Sequence, residues 1–259
     1  MRPFEWLACL GFAVLALAAF ATRGSAARQL SVALASAAAA VVIAAVSLHA
    51  DAAWRQWMPH LYLVLGYWLP ALLVRDPGAA TRFERWLARS DDLLRPRLPW
   101  VPQPLRPVVE LAYLFCYPLV PVSCAIVWTH GTPAEAERFW TLVLGSGFAC
   151  YGTLPWLVSR PPRLLQERPA PVSRAASVNA HVLGRVSHRL NTFPSGHAAV
   201  SCACAMALLP VSPRAAAFVG VAAAAVAIGA AAGRYHYVMD VVAGIAVAGL
   251  VWGLTALAG

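Results

Sequence analysis

The sequence contains no lysine, and its formal net charge of +9 at pH 7 is carried by 20 arginines against 11 acidic residues. Arginine does not lose its proton in proteins, and its planar guanidinium can bind two phosphate oxygens at once. The arginines lie in the gaps between apolar runs, not among aromatic side chains on a polar surface. This distribution argues against nucleic acid as a partner and indicates a membrane bilayer or a phosphorylated lipid.

Cysteine is absent from the polar segments, because all six cysteines fall inside apolar runs. A disulfide framework is therefore not expected. Cys202 and Cys204 are two residues apart on a predicted helix and do not share a face, which argues against a pair of metal ligands. The sequence also lacks a G-x-S-x-G motif, so Ser195 is not predicted to be the nucleophile of a serine hydrolase.

Long apolar runs are abundant: 60% of the residues are hydrophobic, and the mean hydropathy is +0.64. A helix crosses a bilayer with about 20 apolar residues. We predict an all-α polytopic membrane bundle with about eight spans. The predicted spans are residues 4–22, 29–50, 58–74, 107–128, 139–158, 197–210, 215–233 and 238–258. The first run could instead be a cleaved signal peptide, but its length favours a retained helix.

Two segments between the runs are polar. Residues 75–106 hold seven arginines and five prolines. Their apolar residues are spaced as one face of a short helix, which predicts a segment lying on the membrane surface. These residues are Phe83, Trp86, Leu87, Leu93 and Leu94. Residues 159–196 hold six arginines and form a loop of a length that is usually functional or poorly ordered.

The start of the last run carries His236 and Asp240, four residues apart. On a helix that begins near Tyr235 they share a face, so the carboxylate can accept a hydrogen bond from one imidazole nitrogen. The other nitrogen is then available as a nucleophile. A histidine and an aspartate that only cap a membrane span would give the same spacing, so this motif alone does not predict catalysis.

The segment Phe193–His197 precedes another apolar run with the sequence F-P-S-G-H. Unpaired N–H groups and the helix dipole at such a helix start favour an anion such as phosphate. His197 would lie on the first helical turn, where an imidazole can donate a proton to a leaving oxygen. Ser-Gly-His is also a common turn, so the prediction depends on its neighbours.

Arginines supply the third contribution. Ser159–Arg163 follows the fifth predicted span and contains two guanidiniums beside prolines. Arginines also flank membrane spans for topological reasons alone. However, the loops after spans five and seven open on the same side of the membrane. Six side chains can therefore converge: Arg160, Arg163, His197, Arg234, His236 and Asp240.

With R-P, P-S-G-H and then R and H-x-x-x-D in this order, the chain resembles the type 2 phosphatidic acid phosphatase (lipid phosphate phosphatase) superfamily over about residues 58–259. The resemblance implies a six-helix core in residues 54–259, including the surface segment 75–106, preceded by two transmembrane helices in residues 1–53. It implies that His236 forms a phosphohistidine, that Asp240 orients it, and that His197 is the acid and later the base. It also implies that Arg160 and Arg234 bind the phosphate with Ser195 and Gly196, without a metal or a cofactor.

The chain departs from the usual family pattern at two positions. Thr153 stands where a lysine is usual, and Ala230 stands where the third-motif arginine is usual, with Arg234 instead two residues before His236. Residues 66–70 and 160–163 resemble the inositol phosphorylceramide synthase-like branch. The missing lysine could be replaced by Arg163, Arg168 or an arginine of residues 174–189.

Three functions remain open from the sequence. The first is a metal-independent lipid phosphatase, and the second is a membrane phosphotransferase that moves a phosphoryl headgroup between lipids. The third is a non-catalytic lipid-binding or transport scaffold.

The loops on the motif side hold 16 arginines against 4 on the other side. Because positive loops stay in the cytoplasm, we expect the site at the cytoplasmic face of the plasma membrane.

Overall fold

The computed structural model describes residues 1–22, 24–74, 78, 80–94, 101–165, 174–188 and 190–257. Twelve α-helices lie within these residues. They are α1 (Pro3–Ala21), α2 (Ala26–His49), α3 (Ala52–Trp57), α4 (Pro59–Leu72), α5 (Arg82–Leu94), α6 (Arg106–Ala112), α7 (Cys116–His130), α8 (Pro133–Tyr151), α9 (Arg174–Val186), α10 (Gly196–Leu208), α11 (Pro213–Ala232) and α12 (Val238–Leu257). The described residues form helices joined by turns and loops, and they contain no strand. The predicted all-α polytopic bundle is therefore confirmed.

Five helical segments are long and apolar enough to cross a membrane: α1, α2, α6 with α7, α11 and α12. Three further predicted spans correspond to helices that are shorter or more polar. α4 has 14 residues, α10 has 13, and α8 has 19 with three charged residues near its start. The number of crossings, and the division of the chain at residue 53, therefore remain predictions.

The fifth predicted span is displaced along the chain. α8 begins at Pro133, six residues before the predicted start, and ends at Tyr151. A capping box starts the helix there, because the Thr132 hydroxyl accepts the Glu135 N–H (3.3 Å) while the Glu135 carboxylate accepts the Thr132 N–H (2.7 Å). The earlier end leaves residues 152–165 free to form the loop that carries the arginines.

α8 lies at the centre of the bundle. It packs against α1, α4, α10 and α12, and its Trp140, Phe139 and Leu144 are fully buried. Within a membrane, such helix contacts are stabilised by close van der Waals packing, and small residues permit it. The alanine-rich faces of α10 and α11 supply those small residues.

Two glycines allow the closest approach between elements near the start of α10. A Cβ on Gly244 of α12 would lie 2.4 Å from the Ser195 carbonyl oxygen, which is far inside van der Waals contact. A Cβ on Gly196 would lie 2.1 Å from the ring of Tyr151 at the end of α8. The start of α10 is therefore packed directly against α12 and α8.

The polar segments contain more structure than a surface helix and a loop. α5 forms as predicted, but its apolar face is divided: Leu87 is fully buried, whereas Trp86 and Leu93 are 46% and 64% exposed. The buried face also carries Glu84 and Asp91, and the helix packs against α12. Residues 159–196, predicted as a loop, include α9, which packs against α6.

Candidate active site

The start of α10 is fixed by hydrogen bonds within the protein. The Ser195 hydroxyl accepts the Ala198 N–H (3.4 Å) as a helix cap. The Ser195 N–H donates to the Asp240 carbonyl (2.9 Å), and the Gly196 N–H donates to the Thr192 hydroxyl (3.1 Å). Two of the N–H groups expected to face a phosphate are therefore already hydrogen-bonded, whereas the Ser195 hydroxyl can still donate to an anion.

A tight turn between α11 and α12 positions His236. The carbonyl of Ala230 accepts the N–H groups of both Tyr235 (2.9 Å) and His236 (3.0 Å). Arg234 has a φ of 56°, in the left-handed region that non-glycine residues seldom adopt. Asn191 donates its side-chain N–H to the Tyr235 carbonyl (2.9 Å), which ties this turn to the segment before α10.

The predicted contact between His236 and Asp240 is present, although the predicted helix start at Tyr235 is wrong. α12 begins at Val238, so His236 precedes the helix and Asp240 lies in its first turn. His236 Nδ1 is 3.3 Å from Asp240 Oδ2, which also accepts the Tyr237 N–H (3.1 Å). Both side chains are buried, and burial lowers the pKa of His236, so its imidazole is neutral at pH 7.

His197 meets the other nitrogen of the same imidazole. Its Nδ1 lies 3.3 Å from His236 Nε2, so the chain of contacts runs from Asp240 through His236 to His197. If the Asp240 carboxylate accepts the proton on Nδ1 of His236, then Nε2 carries the lone pair. The geometry therefore gives one imidazole a free lone pair and places a second imidazole beside it.

The two arginines of the first motif have different environments. Arg160 forms a bidentate ion pair with Glu84 of α5, with Nε to Oε1 at 2.9 Å and Nη2 to Oε2 at 3.1 Å. The Arg160 N–H also donates to Glu84 (2.9 Å). Although burial alone would raise the pKa of Glu84, these hydrogen bonds hold it below its usual value. The predicted phosphate ligand Arg160 is therefore bound to a carboxylate.

Arg163 contacts the two residues that precede His236 in the chain. Its guanidinium carbon is 4.1 Å from the ring centre of Tyr235, the residue before His236. Its N–H donates to the Arg234 carbonyl (3.2 Å), and its Nε has no hydrogen-bond partner among the residues that the structure describes. The side chain of Arg234 lines a cavity of about 140 Å³ together with Asp91, Asp92 and Tyr237.

The predicted residues therefore fall into two groups. His197, His236, Asp240, Ser195 and Gly196 meet at the starts of α10 and α12. Arg163 contacts Tyr235 and the Arg234 carbonyl, in the turn that carries His236. Arg160 is turned to Glu84. Thr153, at the position of the missing lysine, lies with its hydroxyl 2.6 Å from the Phe193 carbonyl and so stabilises the loop before α10. Arg168 is outside the described residues.

A sequence profile described as the PAP2 superfamily matches residues 83–254, which is more than half of the chain and includes every motif residue above. The chain belongs to the PAP2 superfamily. No curated protein and no solved structure matches the chain. Membership of this superfamily indicates a phosphatase-type activity in general.

Some residues of this PAP2 site were not predicted from the motifs. Three tyrosine rings surround His197: Tyr113, Tyr117 and Tyr67, with ring centres 5.3, 6.0 and 6.2 Å from the imidazole. His188 stacks on Tyr67 at 4.2 Å. Tyr113 and Tyr117 are four residues apart in an otherwise apolar segment, and this shared helical face was the signal available in the sequence.

Proposed function

We propose that this chain is an integral membrane lipid phosphatase that hydrolyses a phosphomonoester or diphosphate of a lipid through a phosphohistidine on His236. The observation that carries the proposal is the position of the His236 ring, between Asp240 Oδ2 and His197 Nδ1 at 3.3 Å each. Such a ring has one nitrogen oriented by a carboxylate and the other directed at a second acid–base group.

In the first step, His236 Nε2 attacks phosphorus and the bond to the lipid oxygen breaks. His197, in its imidazolium form, donates its proton to that oxygen, or to the bridging oxygen of a diphosphate, so the lipid leaves as a neutral alcohol or as its monophosphate. Because the two imidazoles are 3.3 Å apart without substrate, the phosphoryl group must enter between them and separate them. Asp240 stabilises the positive charge that develops on the His236 ring.

In the second step, the now neutral His197 removes a proton from water, and the resulting hydroxide attacks phosphorus. The bond between phosphorus and Nε2 breaks, and phosphate leaves. Phosphoryl transfer requires in-line placement and neutralisation of the equatorial oxygens more than further covalent chemistry. Arg163, Arg234 and the Ser195 hydroxyl are the groups we assign to that neutralisation. The proposal needs no metal or cofactor.

A phosphotransferase, similar to the inositol phosphorylceramide synthase-like branch, is the second candidate. Tyr67, Tyr113 and Tyr117 cover the imidazole that activates the acceptor in the second step. Apolar rings at this position reduce access of water and favour a lipid alcohol as acceptor. Addition of diacylglycerol or ceramide would then convert phosphate release into formation of a new phosphorylated lipid.

We also propose that the site lies at the cytoplasmic surface of the plasma membrane, since 16 of the 20 arginines are in loops on the motif side. Reporter fusions in the loop between α10 and α11 and after α12 test this orientation. Both positions lie at the opposite ends of helices that begin at the site, so both reporters are expected to be outside the cytoplasm.

The deciding experiment measures phosphate release by the detergent-purified protein from a panel of lipid phosphates with chelator present. His236→Ala should reduce release by at least about a thousandfold, whereas His49→Ala, at an exposed position on α2, should not change it. With ³²P-labelled substrate, the wild-type protein should carry an acid-labile, alkali-stable label that His236→Ala lacks. Normal turnover by a folded His236→Ala protein would contradict the proposal.

Absence of release from every lipid, with folded protein, would favour transfer to a missing acceptor or the non-catalytic scaffold. A scaffold without catalysis does not need its histidines to converge, and the 3.3 Å contact between His197 and His236 argues against it. Loss of release on adding chelator would contradict the metal-independent reaction alone.

A further inference from the structure

We propose that Tyr113 is a positioning residue for His197, and that its hydroxyl holds the acid–base imidazole in place when the phosphoryl group separates the two histidines. The Tyr113 hydroxyl lies 3.2 Å from His197 Nδ1. The same nitrogen is 3.3 Å from His236 Nε2. This inference rests on the proposed phosphatase mechanism and concerns a residue outside the three sequence motifs.

The ring of Tyr113 is rigidly supported. It stacks on Tyr235 with ring centres 4.6 Å apart and planes 9° apart. The Tyr235 hydroxyl donates to Glu110 Oε1 (3.0 Å) and accepts from the Asn179 side chain (2.8 Å). Because Tyr113 covers one face of Tyr235, the guanidinium of Arg163 must lie over the other face. A single stack therefore connects Arg163 to the residue that contacts His197.

The need for a second partner follows from the chemistry of the intermediate. Once phosphorus is bonded to His236 Nε2, that nitrogen has no lone pair to accept a hydrogen bond from His197. The Tyr113 hydroxyl remains as a partner of His197 Nδ1: its oxygen accepts from the imidazolium before proton transfer, and its O–H donates to the lone pair after His197 has given up the proton. A hydroxyl can also donate, so the contact survives changes in the protonation of the imidazole. A hydrogen bond to a charged donor is stronger, so Tyr113 stabilises the imidazolium form.

Other titratable groups also face His197, and the test must separate them from Tyr113. His236 comes from the α11–α12 turn, Tyr67 from α4, Tyr117 from α7, and His188 from the segment before α10. Tyr117 is the matched control. Its ring also packs on His197, at 6.0 Å, but within the described part of the chain its buried hydroxyl has no hydrogen-bond partner.

The experiment compares Tyr113→Phe with Tyr117→Phe, since each removes one hydroxyl and keeps the ring. For Tyr113→Phe we expect about a tenfold lower kcat, a KM within about twofold of the wild type, and an activity profile shifted to lower pH by up to about one unit. Tyr117→Phe removes a hydroxyl that does not contact His197 Nδ1, so its pH profile should coincide with that of the wild type whatever its effect on turnover. Coincident pH profiles for the two variants would overturn the proposal.

A second measurement does not depend on turnover. Diethyl pyrocarbonate reacts with neutral imidazoles, so its pH-dependent labelling of His197, followed by mass spectrometry, reports the proton affinity of this ring. The labelling midpoint should move to lower pH in Tyr113→Phe only. If no protein releases phosphate but this shift is present, the phosphatase proposal fails and the Tyr113 contact stands. If release is normal and the midpoint does not move, the role of Tyr113 is wrong. Tyr113→Met replaces Tyr113→Phe if the latter is not recovered folded.

Discussion

Two ion pairs at opposite ends of α8 have almost the same geometry. At the α8 start, Arg55 Nε and Nη2 donate to Glu5 at 2.8 and 2.7 Å. At the α8 end, Arg160 Nε and Nη2 donate to Glu84 at 2.9 and 3.1 Å. Each glutamate is 1% exposed. The hydrogen-bond distances do not distinguish the two ion pairs. Any difference in their roles must come from the residues around them.

The first pair joins α1 to α3, far from any motif residue. The second joins α5 to the loop that also carries Arg163, next to the turn of His236. An arginine that already donates both arms of its fork to a buried carboxylate has little left for a phosphate. The role of an arginine is therefore determined by the residues that it contacts and not by its position in a sequence motif. We therefore propose a structural role for Arg55 and Arg160 and a phosphate-binding role for Arg163.

The largest effect should come from Arg163→Gln. Loss of one donor that stabilises transition-state charge lowers kcat/KM by about 10²- to 10³-fold. Arg160→Gln should lower kcat/KM per folded molecule by about tenfold or less, because it acts through the position of the loop. Steady-state release assays on monodisperse protein check both. A larger loss in Arg160→Gln than in Arg163→Gln would reverse the assignment.

Glu84→Gln should be the most destabilising change at either ion pair. It leaves the partly buried Arg160 without its carboxylate and weakens two further hydrogen bonds, from the N–H groups of Thr81 and Arg160. We expect a loss of about 3 kcal/mol, at the lower end for a broken buried pair. Chemical unfolding in detergent measures it. Activity per folded molecule should also fall, because the loop that carries Arg163 loses its anchor; unchanged activity would argue against this connection.

Glu5→Gln is the matched change at the other end of α8. Glu5 accepts from Arg55 and from the Arg2 N–H, so it has one hydrogen bond fewer to lose than Glu84. We expect a loss of about 2 kcal/mol and unchanged kcat/KM per folded molecule. Reduced turnover in folded Glu5→Gln would show that the far end of the bundle contributes to the site.

The smallest expected effect concerns pH. The pKa of Glu84 is lowered in the folded protein from the ordinary 4.5, so its ion pair contributes full stability above about pH 4.5. That stability is lost as the pH falls through the lower, folded value, at no more than about 1.4 kcal/mol per pH unit. The difference in unfolding free energy between wild type and Glu84→Gln should therefore shrink on acidification. A difference in unfolding free energy that stays constant down to pH 3 would contradict this expectation.

The sequence predicted what depends on local spacing. The contact between His236 and Asp240 was predicted from their spacing of four residues, and the helix that follows Phe193–Pro194 was predicted from the apolar run beginning at His197. The helix start was misplaced because Asp240 caps the N–H of Tyr237, which leaves His236 outside the helix.

Contacts between distant segments could not be predicted in this way. Glu84 and Arg160 are 76 residues apart, and Tyr113 and His197 are 84 residues apart. No periodicity relates such positions, since the packing of α5 and of the turn between α6 and α7 decides whether they meet. The role assigned to Arg160 by its motif was therefore open until its partner was known.

The close approach at Gly244 has a consequence for the reaction. His197 stands on α10 and His236 precedes α12, so the spacing of these two helices sets the distance between the two imidazoles. This spacing is possible because residue 244 is a glycine: a methyl group at this position would lie 2.4 Å from the Ser195 carbonyl oxygen. Gly244 touches no substrate, yet its lack of a side chain helps to set the distance between the nucleophile His236 and the acid His197.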